Sequence, residues 1–212
     1  MDDEHSSKKT KTKDIKVILL GDSGVGKTCI INRYINNKFE SNIENTVCSS
    51  YSTKQIIKNN ILYRLNLWDT IGQEKYNSIT NIFIKGSNIV ILVYSIDSLS
   101  SLQGLDFWYN SVKNILKENS YVLAVVGNKA DLMIEEEEVV SEEEARKYAK
   151  KMNAEFKLIS CKEDSEGIDN LFDMLLDELI SLDYIEVSNS YIIDRSTYEE
   201  SEKNRKINKK CC

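Results

Sequence analysis

Apolar positions along the chain switch repeatedly between two periods. A short unbroken run, "IKVILLG" (15–21), predicts a buried parallel strand that ends in a glycine turn. Ile31, Tyr34 and Ile35 then recur at helical spacing. "YSTKQIIK" and "ILYRLNLWD" read as the two strands of a hairpin joined around Asn59–Asn60. "NIVILVYS" (88–95) and "YVLAVVGN" (121–128) predict two more strands, with a helix near 101–117 between them. "SEEEARKYAKKM" opens on Ser141 with Glu144 three residues on, the spacing of a capping box, and predicts a further helix. "FKLIS" (156–160) is the last predicted strand, and the final helix carries Leu171, Phe172, Leu175, Leu176, Leu179 and Ile180 on one face. Strands that alternate with helices predict an α/β fold, a mainly parallel sheet covered on both faces. Ligands of such sheets bind at the carboxyl ends of the strands, so the loops just after strands are where chemistry is expected. The pattern lapses at both ends. Residues 1–13 are expected to be a disordered extension, 14–182 the folded domain and 183–212 a flexible tail.

Composition narrows this picture by exclusion. A length of 212 residues suits one such domain with tails better than two small domains, and 41% hydrophobic residues suffice for a sizeable core. A net charge of -6 argues against a nucleic-acid partner. No apolar run is long enough to span a membrane. "MDDEHSSKKTKTKD" lacks the apolar segment of a secretory signal, and Asp2 stands where myristoylation needs Gly, so a cytosolic protein is expected. Cys29, Cys48, Cys161, Cys211 and Cys212 lack metal-ligand spacing, and the single histidine, His5, sits in the polar N-terminal stretch. Structural zinc and histidine catalysis are both disfavoured.

Glycine is scarce and clustered. Three of eight glycines, Gly21, Gly24 and Gly26, fall in "GDSGVGKT" (21–28), directly after the first strand and before a helix. This is the G-x-x-x-x-G-K-[ST] phosphate loop. Asp22, Ser23, Gly24, Val25, Gly26, Lys27, Thr28 and Cys29 are its candidate nucleotide-binding residues. Backbone N–H groups and the helix N-terminus would surround phosphate oxygens, Lys27 would charge-pair with the β and γ phosphates, and the Thr28 hydroxyl suits Mg²⁺. "GNKAD" (127–131) closes another strand. The Asp131 carboxylate can accept both N1–H and N2–H of guanine, a donor pair that adenine lacks, while Asn128 can hydrogen-bond the base and the Lys129 stem can lie over its plane. In "WDTIGQEKY" (68–76), Asp69 ends a strand where a carboxylate serves Mg²⁺, the Gly72 N–H can reach a γ-phosphate, and Gln73 can orient an attacking water. Gln73, Lys27 and Gly72 are therefore the candidate catalytic residues.

"GDSGVGKT", "WDTIGQEKY" and "GNKAD", in this order, resemble the Rab family of Ras-like small GTPases over residues 14–182, and "LVYSID" (92–97), "FIKGS" (83–87) and the terminal Cys-Cys match it too. The resemblance implies a three-layer sandwich around a six-stranded, mostly parallel sheet. It implies that Thr46 brings its hydroxyl to Mg²⁺ beside Thr28 and Asp69, that Phe39 packs edge-on against guanine, and that "SCK", Ser160, Cys161 and Lys162, is the last base loop. It further implies GTP and GDP as ligands, slow intrinsic hydrolysis, and vesicle traffic as the setting. The implied partners are an exchange factor, a GTPase-activating protein, a GDP-dissociation inhibitor or escort protein, and effectors, on a monomeric chain. Geranylgeranylation of Cys211 and Cys212 would supply two anchoring chains, helped by Lys203, Arg205, Lys206, Lys209 and Lys210. The chain would then work on the cytoplasmic face of an endosomal or secretory membrane and cycle with the cytosol. Three departures stand out: Ile71 where Ala is usual, "TVCSSY" (46–51) in place of Thr-Ile-Gly-x-x-Phe, and Ser95 where Asp is frequent. They predict altered exchange-factor and effector contacts around an ordinary nucleotide site. A nucleotide or small-molecule kinase would share the phosphate loop but gain nothing from N-K-x-D. A non-catalytic GTP-holding scaffold would gain nothing from Gln73.

Overall fold

A computed structural model describes residues 11–40, 46, 50–70, 77–134 and 140–182. Among them the strands are β1 (Lys11–Leu20), β2 (Ser50–Lys58), β3 (Ile61–Asp69), β4 (Ile89–Ser95), β5 (Val122–Asn128) and β6 (Glu155–Leu158). The helices are α1 (Lys27–Asn36), α2 (Asn77–Ile84), α3 (Leu99–Ile115), α4 (Glu142–Lys151) and α5 (Ser165–Ser181), with a 3-10 turn over Ala130–Ile134. The strands form one sheet in the order β2-β3-β1-β4-β5-β6. Only the β2–β3 pair is antiparallel.

Alternation along β1 divides the core. Ile15, Val17 and Leu19 pack on one face with α1 and α5, whereas Ile18 and Leu20 pack on the other with α3 and α4. Every residue of β4 and β5 is buried, as a strand covered on both faces requires. The hairpin turns through Asn59 at φ 52° and Asn60 at φ 60°, the two left-handed residues of a type I′ turn. Each of the two caps named next meets its helix as the local chemistry demands: the Ser141 hydroxyl accepts the Glu144 N–H at 3.2 Å, and the Asp164 carboxylate accepts the Gly167 N–H at 2.7 Å.

One boundary differs from expectation. Residues 11–13, assigned above to a disordered extension, are strand: β1 pairs with β3 from Lys11↔Ile61 through Leu19↔Asp69, and Thr12 is buried. The long partner strand, rather than any local apolar pattern, carries β1 past its hydrophobic run.

The topology places the site. After β1 the chain goes to one side of the sheet for β2 and β3, then crosses to the other side for β4. The loops leaving β1 and β4 therefore diverge and open a crevice at the carboxyl end of the sheet. The edge strand β2 is tied to α5 by Lys54–Asp169 at 3.0 Å and Lys58–Asp177 at 2.7 Å.

Candidate nucleotide site

Loops after β1, β3, β5 and β6 meet around a cavity of about 310 Å³. Ser23, Gly24, Gly26, Lys27, Thr28, Cys29, Phe39, Thr46, Asn128, Lys129, Asp131, Cys161 and Lys162 line it, which brings together residues spread over most of the chain. Glu40, Thr70 and Leu132 line it as well; Thr70 falls inside "WDTIGQEKY", but none of the three is among the candidates named above. Asp22 and Val25 turn their side chains elsewhere: Asp22 towards α3, and Val25 into the core at 2% exposure. Gly72, Gln73 and Ile71 lie outside the described residues, as do Cys48, Cys211 and Cys212.

The phosphate end is built from backbone. Gly26 caps α1 at φ 98°, and a Cβ there would stand 2.1 Å from Asn128 Nδ2, so only glycine fits. No side chain caps α1, which leaves its first-turn N–H groups facing the cavity end of the helix. The Lys27 ammonium donates to the carbonyls of Gly21 at 2.7 Å and Asp22 at 2.8 Å. Burial pulls its pKa down to about 8, against the raising effect of the Asp69 and Asp22 carboxylates. Phosphate oxygens would add counter-charge in direct contact with this ammonium, whose hydrogen-bond partners named here are carbonyls.

A second cluster holds hard oxygen donors. The Thr28 hydroxyl donates to Asp69 Oδ2 at 2.7 Å, and Thr46 Oγ1 lies 2.9 Å from Thr28 Oγ1. Asp69 Oδ1 is buried without a hydrogen-bond partner. Burial raises the Asp69 carboxyl above its ordinary value, and the Thr28 hydroxyl, the Lys27 charge and the Thr46 hydroxyl offset only part of this. An orphaned carboxylate oxygen beside two hydroxyls fits a Mg²⁺ site, since that ion prefers oxygen ligands with water completing the shell. Thr70 holds the end of β3 in place by donating to the Leu19 carbonyl at 2.6 Å.

At the base end the Asp131 carboxylate is pre-set. Ser160 Oγ donates to Asp131 Oδ1 at 2.6 Å, and the Lys162 ammonium stands 3.7 Å from Oδ2. Asn128, read above as a base contact, braces the loops in this structure: its Nδ2 donates to the Val25 carbonyl at 2.9 Å, and its Oδ1 accepts the Cys161 N–H at 3.3 Å. Lys129 takes a left-handed φ of 67° and pairs with Asp97 at 3.1 Å. Arg33, from α1, donates to the carbonyls of Cys161 and Lys162, both at 2.7 Å, and lies 5.9 Å from the Phe39 ring. Arg33 and Asp97 escape a motif reading because each acts on a motif residue far along the chain. The Cys161 thiol is 3% exposed, and burial pushes its pKa up to about 12.

Next to this site, Tyr51, Trp68 and Phe83 form an aromatic row on β2, β3 and α2, with ring centroids 5.1 and 5.3 Å apart. Tyr51 is 53% exposed and Trp68 half-buried, so the row offers an apolar surface to a partner.

Comparison with known proteins agrees with the geometry. The Ras family model matches residues 16–181. The chain is 33% identical over 175 residues to the Ras-like GTP-binding protein RYL2 of Yarrowia lipolytica, covering 80% of this chain and 83% of that one. It is 38% identical over 154 residues to the Ras-related protein RABG3b of Arabidopsis thaliana, covering 71% and 76%. With the Ras-related protein Rab-7b of Bos taurus it shares 32% over 206 residues, covering 95% and 98%.

Proposed function

Because the chain belongs to the Rab branch of the Ras family of small GTPases, we propose that it is a GTP-loaded switch that recruits effectors to intracellular membranes in vesicle traffic. The observation that carries this reading is the meeting of Lys27, Thr28 and Asp131 in one cavity, with Asp69 bonded to Thr28 behind it. Asp131 accepts the two adjacent guanine donors, already held in place by Ser160. Lys27 and the first-turn N–H groups of α1 take the phosphates. Thr28, Thr46 and Asp69 would hold Mg²⁺, which would supply positive charge against the charge of the phosphates. Gln73 orients a water for attack on the γ-phosphorus, and Gly72 donates its N–H to a γ oxygen. The bond to the β–γ bridging oxygen breaks, and GDP and phosphate result. Intrinsic turnover is slow because the motifs contain no arginine aimed at the developing charge. A GTPase-activating protein supplying one raises the rate on the order of 10³–10⁵-fold.

Loss of the γ-phosphate frees Thr46 and Gly72, so a partner selective for their bound arrangement reads the nucleotide. The aromatic row Tyr51–Trp68–Phe83 is where an effector docks. An exchange factor reloads the site, and a GDP-dissociation inhibitor or escort protein carries the chain through the cytosol. Geranylgeranyl chains on Cys211 and Cys212 hold it to the cytoplasmic face of an endosomal or secretory membrane. Residues 183–212 join that anchor to the GTP-binding domain. Calorimetric competition of GTP against ATP tests the site, and single-turnover hydrolysis with and without an activating protein tests the reaction. Equal affinity for the two nucleotides would refute the base assignment. Transfer of phosphate to an acceptor other than water would favour a kinase.

A further inference from the structure

Helix α3 touches the phosphate loop from outside the cavity, and nothing in the nucleotide motifs gives it a part. Trp108, 1% exposed, donates its indole N–H to Asp22 Oδ1 at 3.0 Å. One turn earlier, Gly104 presents bare helix backbone to the same carboxylate: a Cβ there would stand 2.6 Å from Asp22 Oδ2. Asp22 is thus received by a donor and a gap on one helix, while its own carbonyl accepts from the Lys27 ammonium at 2.8 Å on the cavity side. The loop residue is gripped from both faces.

We propose that Trp108 and Gly104 form a clamp on Asp22 that fixes the phosphate loop in its nucleotide-binding shape. Trp108 is a positioning residue: it touches no nucleotide and acts through Asp22. The loop's N–H groups serve the phosphates only while their directions are held, and the Asp22 side chain is the loop's one hydrogen-bonded tie to α3 among those described. The clamp slows nucleotide release by keeping Asp22 from rotating away from Lys27. Charge alone predicts the reverse, because deleting a carboxylate next to phosphates weakens repulsion and slows release.

This inference rests on the nucleotide-site reading, and one experiment separates the two. Release of a fluorescent GDP analogue is followed from the full-length chain with Mg²⁺ present. Trp108→Phe, which keeps an aromatic ring and removes the donor, is expected to speed release about three- to tenfold, the size of one net hydrogen bond. Asp22→Ala is expected to do the same, and Trp108→Phe combined with Asp22→Ala should be no faster than either alone. Asp22→Asn keeps an acceptor oxygen for the indole and should release more slowly than Asp22→Ala. Gly104→Ala should also speed release, although alanine favours a helix interior over glycine; a purely structural role for α3 would move its rate the other way or leave it unchanged. Wild-type rates in both Trp108→Phe and Gly104→Ala, additive effects in the double variant, or slower release from Asp22→Ala would each overturn the clamp. Should Trp108→Phe not fold, Gly104→Ala and Asp22→Ala decide alone. A wild-type chain that binds no GDP analogue at all would refute the nucleotide site itself.

Discussion

Carboxylates in this chain do different work according to what each one faces. Asp131 lines the cavity, held by Ser160 at 2.6 Å, and is the proposed acceptor for guanine. Replacing it by Asn leaves an amide whose N–H₂ meets the guanine donors. That substitution should weaken GTP binding about ten- to a hundredfold, the loss of one charged hydrogen bond, as read by calorimetry. Cys161 shows the converse, a reactive residue type rendered inert. With its pKa pushed up to about 12, it stays a neutral thiol at working pH. Iodoacetamide near neutral pH should leave it unmodified in the folded chain and label it in denaturant, with mass spectrometry as the readout. The same shift has a definite sign in stability. The thiol's contribution is complete below the unfolded value of 9.0 and is lost as pH rises towards about 12. Cys161→Ala should flatten that part of the alkaline stability curve. Residues of this kind were legible where chemistry demands a type at a fixed spacing, as in Lys27, Thr28 and Asp131. Arg33, Asp97 and Trp108 were not, because their partners lie 128, 32 and 86 residues away and no local pattern encodes such a pairing.

Elements were legible where their ends carry their own signals. Ser141 with Glu144 marked a helix start that the structure places at Glu142, and Asn59–Asn60 marked the hairpin turn. Both asparagines sit at left-handed φ, where glycine pays no steric penalty. Asn60→Gly should be neutral or stabilise the chain by up to about 1 kcal/mol, and Asn60→Val should destabilise it by a similar amount or more. Thermal unfolding of the GDP-bound protein checks both. β1 was misjudged at its start for a physical reason: Lys11–Lys13 owe their extended form to nine consecutive pairings with β3, between Lys11↔Ile61 and Leu19↔Asp69. Strand order was equally out of local reach, since β1 lies between β3 and β4 through a crossover. The alternation of elements announced a parallel sheet, and family resemblance supplied its six-stranded arrangement.

At the scale of the whole molecule, catalysis and signalling part company. Gln73→Leu should abolish most activator-stimulated turnover and leave GTP affinity intact, as measured by phosphate release and by calorimetry. Full stimulated turnover in that variant would remove Gln73 from the mechanism. Among the described residues the sheet ends in two edge strands, β2 and β6. β6 is only four residues long, and β2 points Lys54 and Lys58 inward to Asp169 and Asp177 on α5. Short rims and inward ammonium groups discourage a second sheet from pairing alongside. Two copies zipping together through β2 would have to disturb those lysines and their acidic partners. Sedimentation should therefore find a monomer at every concentration that keeps the chain soluble. Many molecules gathered on one small vesicle would then stay separate machines, each free to be recruited, read and withdrawn on its own schedule.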